Sequence, residues 1–397
     1  MEHNRAAVGP RVLDDVRVLD FTGIIAGAYC TRMLADLGAD VLKVEPPGGE
    51  MMRHIAPLRG DTSTVFSALN SGKRSLAMDL KSAAAADICK LLVGRYDVVV
   101  ENFSPGVMQR LGLDYAALRE ENPALVMCSI SGYGQTGPGA ARPAYAPIVQ
   151  AMSGYEMVTL AAQPGVDRPL NMGLPVGDTC AAQQAFGAIC AALYYRARTG
   201  IGQYIDIAMF DSLLATMHRD FQAAFHPDVI DRTYGPIAVR DGYVMVMPLS
   251  QRQFVDLCTL IGRPDLQEDA RFATMRARFD NYNELMRITE TWSHTRTALE
   301  AVRGFEAAGI PCTVYRDIRE AADDPQLHHR AMLTEVIDAA GPLKVPNAPF
   351  LYSATHAAVR PEVATLGQHT LSVLGSELGM PDHDIEALAA AGVIHTP

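Results

Sequence analysis

Between residues 16 and 131, short apolar runs alternate with segments of helical period, and few folds accommodate that order. VRVLDF (16–21) reads as a buried strand, and the loop TGIIAG follows it. Ala26, Cys30, Met33, Leu34 and Leu37 then recur on one face of a helix that Gly38 ends. DVLKVE (40–45) supplies a second strand before the breaker PPGGE. The pattern repeats: KSAAAADICKLLVGR is helical, YDVVVE is a strand, PGVMQRLG opens a helix with Pro just inside its start, and ALVMCSI is another strand. Strands alternating with helices imply a mostly parallel sheet covered on both faces, an α/β fold. The ligand site of such a sheet lies beyond the carboxyl ends of its strands, here the loops after Phe21, Val44, Val100 and Ile130.

The chain has 397 residues, more than the ~250–300 at which one core stops growing, so it predicts more than one domain. A helix from Asp178 to about Arg198 stops at Gly200 and is followed by the strand QYIDIAM and the helix FDSLLATMHRDFQAAF. Composition shifts near HPDVIDRTYGP. Beyond it lie a hairpin, PIAVR and YVMVMP across an Asp241-Gly242 turn, and the helices QRQFVDLCTLI and NYNELMRITETW. The expected organisation is a large Rossmann-like α/β domain from residues 1–225, a smaller α+β domain over 226–324, and a C-terminal segment, 325–397, returning to the large domain. TLGQHTLSVLGSEL and HDIEALAAAG are expected as closing helices.

The formal net charge of −11 disfavours nucleic acid as a partner. No run approaches the ~20 apolar residues of a membrane span, and MEHNRAAVGPRVLDD lacks the apolar core of a secretory signal, so a cytoplasmic protein is expected. Seven scattered cysteines without a C-x-x-C pair argue against a disulfide framework and against a zinc site.

Asp178 stands in LPVGDTCAAQQAFGAICAALYYRARTG at the start of a long Ala-rich helix. An aspartate there is a helix cap, a nucleophile, or both. Its oxygen accepts first-turn N–H groups, and the helix dipole favours the ionised form. An oriented, ionised carboxylate is also what acyl-aspartate catalysis requires. Cys180, two residues on, has no nearby His and reads as a packed thiol.

Four segments, VLDFTGIIAGAYCTRMLADLGADVLKVEPPGG, SGKRSLAMDLKS, VVVENFSPGVMQRLGLDY and SISGYGQTGP followed by VGDTCAA, occur in an order and spacing that resembles the class III CoA-transferases. These include formyl-CoA and carnitine CoA-transferases, and the α-methylacyl-CoA racemases are related. The resemblance extends to GQHTLSVLGSELG. It implies an interlocked homodimer without a permanently bound cofactor or metal, acting on an acyl-CoA and a short, dicarboxylic acid. Asp178 would be the nucleophile. Ile25 and Ala26 of the first loop, Lys73 and Arg74, Asn102, Phe103 and Arg110, and Ser131 and Tyr133 would hold coenzyme A, the last two near its thioester end. Backbone N–H groups at the start of the helix after Asp178 would hold the oxyanion.

Racemase members resemble R-A-G-H-D after the GYGQ run, whereas this chain has Tyr145 and Ala146 where that His and Asp would stand. A phenol titrating near ~10 is a poor base at neutral pH, which disfavours the racemase alternative. The chain also lacks the run of glycines some transferases carry in the second domain, and has Ile25 where some have Gln. An intramolecular shift of CoA between two carboxylates is the other alternative. Arg142 and Arg168 are candidate partners for a second carboxylate, since Arg offers a bidentate fork.

Overall fold

A computed structural model describes residues 9–163, 165–226 and 234–397. Residues 227–233, where the composition shifts, lie outside the described residues. The chain divides into two compact units, one running to His218 and resuming at Pro325–Pro397, the other Arg219–Asp324.

The first unit opens with β1 (Arg17–Asp20), α1 (Ala26–Asp36) and β2 (Asp40–Glu45), then a short hairpin, β3 (Leu58–Arg59) and β4 (Thr62–Ser63). Next come α2 (Thr64–Asn70), β5 (Arg74–Met78), α3 (Ala83–Val93), β6 (Val98–Glu101), α4 (Val107–Arg110), α5 (Tyr115–Glu121) and β7 (Val126–Ser131). Helices α6 (Ala146–Met152), α7 (Tyr155–Ala161) and α8 (Val176–Thr199) precede β8 (Tyr204–Ala208) and α9 (Met209–Leu214). The central sheet has the order β14-β5-β2-β1-β6-β7-β8, where β14 is Ile394–His395 near the C-terminus. All its pairings are parallel except β14 with β5. Strand order reverses at β1, which lies between β2 and β6. That is the dinucleotide-fold arrangement, and its crevice opens beyond the carboxyl ends of β1 and β6.

Side chains alternate across a strand, so adjacent apolar residues serve opposite faces. Val18, Val98, Val100, Val126, Cys128 and Ile130 pack with Cys30, Met33 and Leu34 of α1 and Ala181, Ala185 and Ile189 of α8. Their neighbours Leu19, Val99 and Met127 join Ile88, Cys89 and Leu92 of α3 on the other face, which Val373, Leu374 and Ile385 complete. The C-terminal segment thus finishes a core begun by the N-terminal one.

In the second unit, which begins within α10 (His218–Phe225), β9 (Ile237–Val239) and β10 (Gly242–Val246) pair antiparallel. Helices α11 (Gln251–Leu260), α12 (Met275–Asp280), α13 (Tyr282–Ser293) and α14 (Ala298–Ala307) follow, then β11 (Cys312–Val314), which adds to β10, and α15 (Ile318–Ala322). Phe254, Leu257, Phe272, Leu285 and Phe305 fill its core. The first unit then resumes with α16 (Pro325–His329), the β12 (Leu333–Asp338) and β13 (Gly341–Pro346) hairpin, and α17 (Asp382–Ala390).

Local expectations need four corrections. Pro105 stands outside α4, which is a single turn capped by Gly106 at φ 82°. The helix expected over 210–225 breaks into α9 and α10, where the Thr216 hydroxyl donates to the Leu213 carbonyl at 2.7 Å and diverts the backbone. The β9–β10 turn falls on Arg240 and Asp241, because Gly242 already pairs with Val239. The segment Ser372–Glu377, inside the first closing helix, is wound as a π-helix.

Candidate active site

The loop from β1 to α1 is fixed by a buried polar network. The Asp20 carboxylate accepts from Thr22 N (2.8 Å), Thr22 Oγ1 (2.6 Å) and Thr31 Oγ1 (2.7 Å). Gly23 and Asn102 exchange reciprocal hydrogen bonds, each of 2.9 Å, tying this loop to the one after β6. Ile24 N–H donates to Glu50 Oε2 at 2.8 Å, Glu50 pairs with Lys43 at 3.1 Å, and Lys43 donates to the Thr22 carbonyl at 2.5 Å. Ile24 is held at φ 63°, a left-handed conformation that a β-branched residue adopts at a cost of about 1–3 kcal/mol. The chain thus takes a strained turn at the crevice, and α1 begins with no side-chain cap of its own.

Asp178 supplies what α1 lacks. Its carboxylate accepts the backbone N–H of Ala26, the first residue of α1. It is not the N-cap of its own helix: Pro175 holds that position and Asp178 is the third residue of α8. Burial pushes the carboxyl up to about 6, against the lowering effect of the Ala26 N–H. Gly177 N–H donates to Gln150 Oε1 at 3.3 Å, and Thr179 N–H to the Pro175 carbonyl at 3.0 Å. Thr179 N–H, the first after Asp178 and one of the oxyanion donors expected there, is therefore engaged within its own helix.

A cavity of about 120 Å³ gathers Asp178 with Ile24 and Ala26 of the first loop, Asn102 and Phe103 after β6, Ser131 and Gly132 at the end of β7, and Arg142 and Tyr145 beyond it. Ser131 is buried, and its hydroxyl has no hydrogen-bond partner among the described residues. Gly132 is required where it stands, since a Cβ there would meet the Ala144 Cβ at 2.2 Å. Tyr145 is 63% exposed, and no histidine lines the cavity among the described residues. The Cys180 thiol is raised by burial, which makes it a poorer nucleophile.

Of the expected site residues, Asp178, Ala26, Asn102, Phe103 and Ser131 meet in this cavity, and Ile25, Lys73, Arg74, Arg110 and Tyr133 do not line it. Ile25 is the N-cap of α1 and lines a neighbouring apolar groove. Tyr133 packs against Phe210, their rings 6.1 Å apart, and Arg110 ends α4 on the surface. The expectation for Lys73 needs correcting. It is 4% exposed, and its ammonium donates to Asp20 Oδ2 (3.1 Å), the Ala28 carbonyl (2.9 Å) and Asn70 Oδ1 (2.8 Å), leaving no proton for a phosphate. Arg74 is likewise engaged, by Asp40 at 2.7 Å and by Glu377. Of the other polar groups around this crevice, Glu50 and Glu101 carried no sequence signal. Burial pushes the Glu101 carboxyl up to about 7 in an adjoining cavity with Ser129 and Tyr204.

The sequence profile described as CoA-transferase family III matches residues 13–370. The formyl-CoA:oxalate CoA-transferase of Streptomyces coelicolor is 32% identical, over 97% of this chain and 99% of its own length. The succinyl-CoA–D-citramalate CoA-transferase of Chloroflexus aurantiacus is 34% identical, over 97% and 98%. Among solved structures, Rv3272 of M. tuberculosis superposes with a TM-score of 0.81 at 32% identity, covering 91% of this chain and 99% of that one. A CAIB/BAIF family protein of Brucella suis gives 0.80 at 30%, covering 93% and 100%. A carboxylate at the crevice of a dinucleotide-type sheet serves many chemistries, but the match runs through every segment that builds this crevice, and the chain belongs to CoA-transferase family III.

Proposed function

We propose that the protein moves coenzyme A between an acyl-CoA and a short dicarboxylic acid, with Asp178 as the nucleophile. The observation that carries this reading is the Asp178 carboxylate, half-buried in the crevice cavity and held by the first N–H of α1. Relatives named as CoA-transferases for oxalate, D-citramalate, mesaconate and glutarate support the class of acid. A carboxylate oxygen of Asp178 attacks the thioester carbonyl, the C–S bond breaks, and a mixed anhydride and CoA thiolate result. The thiolate attacks the aspartyl carbonyl of the anhydride, releasing the donor carboxylate and leaving an aspartyl-CoA thioester. The acceptor carboxylate then attacks that thioester, and the returning thiolate takes the acceptor acyl group and frees Asp178.

Ala26, Asn102, Phe103 and Ser131 surround the acyl end, with the Ser131 hydroxyl free to donate to the acyl oxygen. The nucleotide end of CoA is assigned to Arg110 at the surface, and Lys73 acts instead by neutralising Asp20. The racemase alternative finds no second base in the cavity, where Tyr145 takes the place of histidine. An interlocked homodimer is supported by apolar surface this chain leaves uncovered: α7 has no buried side chain, and Met157, Met172, Leu174 and Phe225 are exposed. Free thiols at every cysteine accord with a cytoplasmic setting. No helix among the described residues is long and apolar enough to cross a membrane.

The test is intact-mass analysis after incubation with succinyl-CoA and a panel of acyl-CoAs, with hydroxylamine trapping and peptide mapping. A mass gain on the Asp178 peptide is expected, and its absence with every acyl-CoA would overturn the covalent mechanism.

A further inference from the structure

Arg142 is the one basic side chain among the described residues that line the Asp178 cavity. The arginines that support the sheet and its loops are matched to carboxylates: Arg32 to Asp36, Arg53 to Glu45, Arg59 to Asp338, Arg74 to Asp40, Arg196 to Asp97. Arg142 pairs with no carboxylate among the described residues. Exposed arginines such as Arg95, Arg110, Arg119 and Arg198 also lack an ion pair among the described residues, and Arg142 is exposed as they are, but it differs from them in lining the cavity that holds Asp178.

Its backbone is fixed rather than trailing. Gln135 N–H donates to Asp206 Oδ2 at 2.9 Å, Arg142 N–H donates to the Gly139 carbonyl at 3.0 Å, and the returning chain lies against Gly132 at Ala144. The burial that raises Asp178 is offset only by the Ala26 N–H, so Arg142 is not its ion-pair partner and remains available to a ligand.

A dicarboxylic acid poses an electrostatic problem at a carboxylate nucleophile. One carboxylate of the acid reacts, and the other stays ionised in the same partly desolvated cavity as Asp178, where like charges disfavour each other. A cation across the cavity removes that penalty, and a planar fork takes a carboxylate through two parallel hydrogen bonds. We infer that Arg142 binds the distal, non-reacting carboxylate of the acid and so selects dicarboxylic over monocarboxylic substrates. This rests on the transferase reading above.

The experiment compares wild type, Arg142→Gln and Arg142→Lys on acceptor acids of two to five carbons, each dicarboxylate matched with the monocarboxylate of equal length. Wild type is expected to favour the dicarboxylates, and Arg142→Gln to reduce that preference at least tenfold, chiefly by raising the acceptor KM. Arg142→Lys, which keeps the charge without the fork, falls between. A loss of kcat shared equally by both classes of acid, an unchanged ratio, or a wild type without the preference would each overturn the inference. The trapped adduct on Asp178 is measured in the same preparations. Its absence in wild type removes the transferase reading, whereas an adduct with an unchanged ratio removes only the role of Arg142.

Discussion

The carboxylate of Asp178, on the first turn of α8, accepts the backbone N–H of Ala26, the first residue of α1. One side chain thus stands at the positive ends of two helices, and both dipoles favour its ionised form, by roughly 0.3–1 kcal/mol each at ordinary exposure. Burial acts the other way and prevails, since the group titrates near 6 rather than at its ordinary 3.8. The protein holds an ionised carboxylate where ionisation is unfavourable, a state that favours sharing its charge with an acyl carbon.

That arrangement makes Asp178 a stability liability at neutral pH. The folded protein binds the Asp178 proton more tightly than the unfolded chain, so the penalty is absent below the ordinary 3.8, grows between there and about 6, and is complete above. Asp178→Asn keeps an oxygen for the Ala26 N–H and removes the charge. It is expected to stabilise the fold by about 1–3 kcal/mol at pH 7.5 and by progressively less toward pH 4, while abolishing the adduct. Urea unfolding at several pH values checks this, and a gain independent of pH would contradict it.

Because the nucleophile must be ionised, the same titration appears in catalysis. The kcat/KM for the acyl-CoA donor is expected to fall about tenfold per pH unit below about 6. A pH–rate profile with its acid limb near pH 4 would mean that the carboxyl is not desolvated in the free enzyme.

What could be read from the sequence is what repeats locally. Val18 beside Leu19, and Val98 and Val100 around Val99, announce strands buried on both faces, and those residues divide between the two cores accordingly. The two-residue strand Ile394–His395 is too short to show a period, and only its pairing with β5 gives it a place. Asp178 was legible as belonging to a helix start. Its partner was not, because Ala26 lies in another helix. Lys73 and Arg74 look alike as adjacent cations, yet Lys73 stands just before β5 and Arg74 begins it, and distant acids separate their fates: one reaches Asp20 in the interior, the other Asp40 and Glu377. Charge pattern does not reveal such partners, since they are set by strand order rather than by neighbours in the chain.

Lys73 therefore calls for a stability experiment. Replacing it with Met leaves the Asp20 carboxylate buried, with Lys43 as its remaining nearby cation. Lys73→Met is expected to cost about 3 kcal/mol, the low end for breaking a buried pair, because Lys43 compensates in part. The Asp20→Asn, Lys73→Met double variant should recover part of that loss. CoA affinity of the folded single variant should stay within threefold of wild type, and a loss beyond tenfold, measured calorimetrically, would restore Lys73 to the nucleotide site.

Ser131 separates stability from function in the opposite sense to a core residue. Its hydroxyl is buried without a partner among the described residues, and such a group costs about 1–3 kcal/mol in desolvation. Ser131→Ala removes the polar atom and leaves space for one atom, so the fold should become more stable or stay unchanged, by thermal unfolding without ligand. If the hydroxyl donates to the acyl oxygen as that carbon turns tetrahedral, the variant should lose at least tenfold in kcat with little change in CoA affinity. A destabilised Ser131→Ala would mean that the hydroxyl is satisfied in the free protein. A stable variant with wild-type kcat would place Ser131 in the lining of the cavity without a part in the reaction.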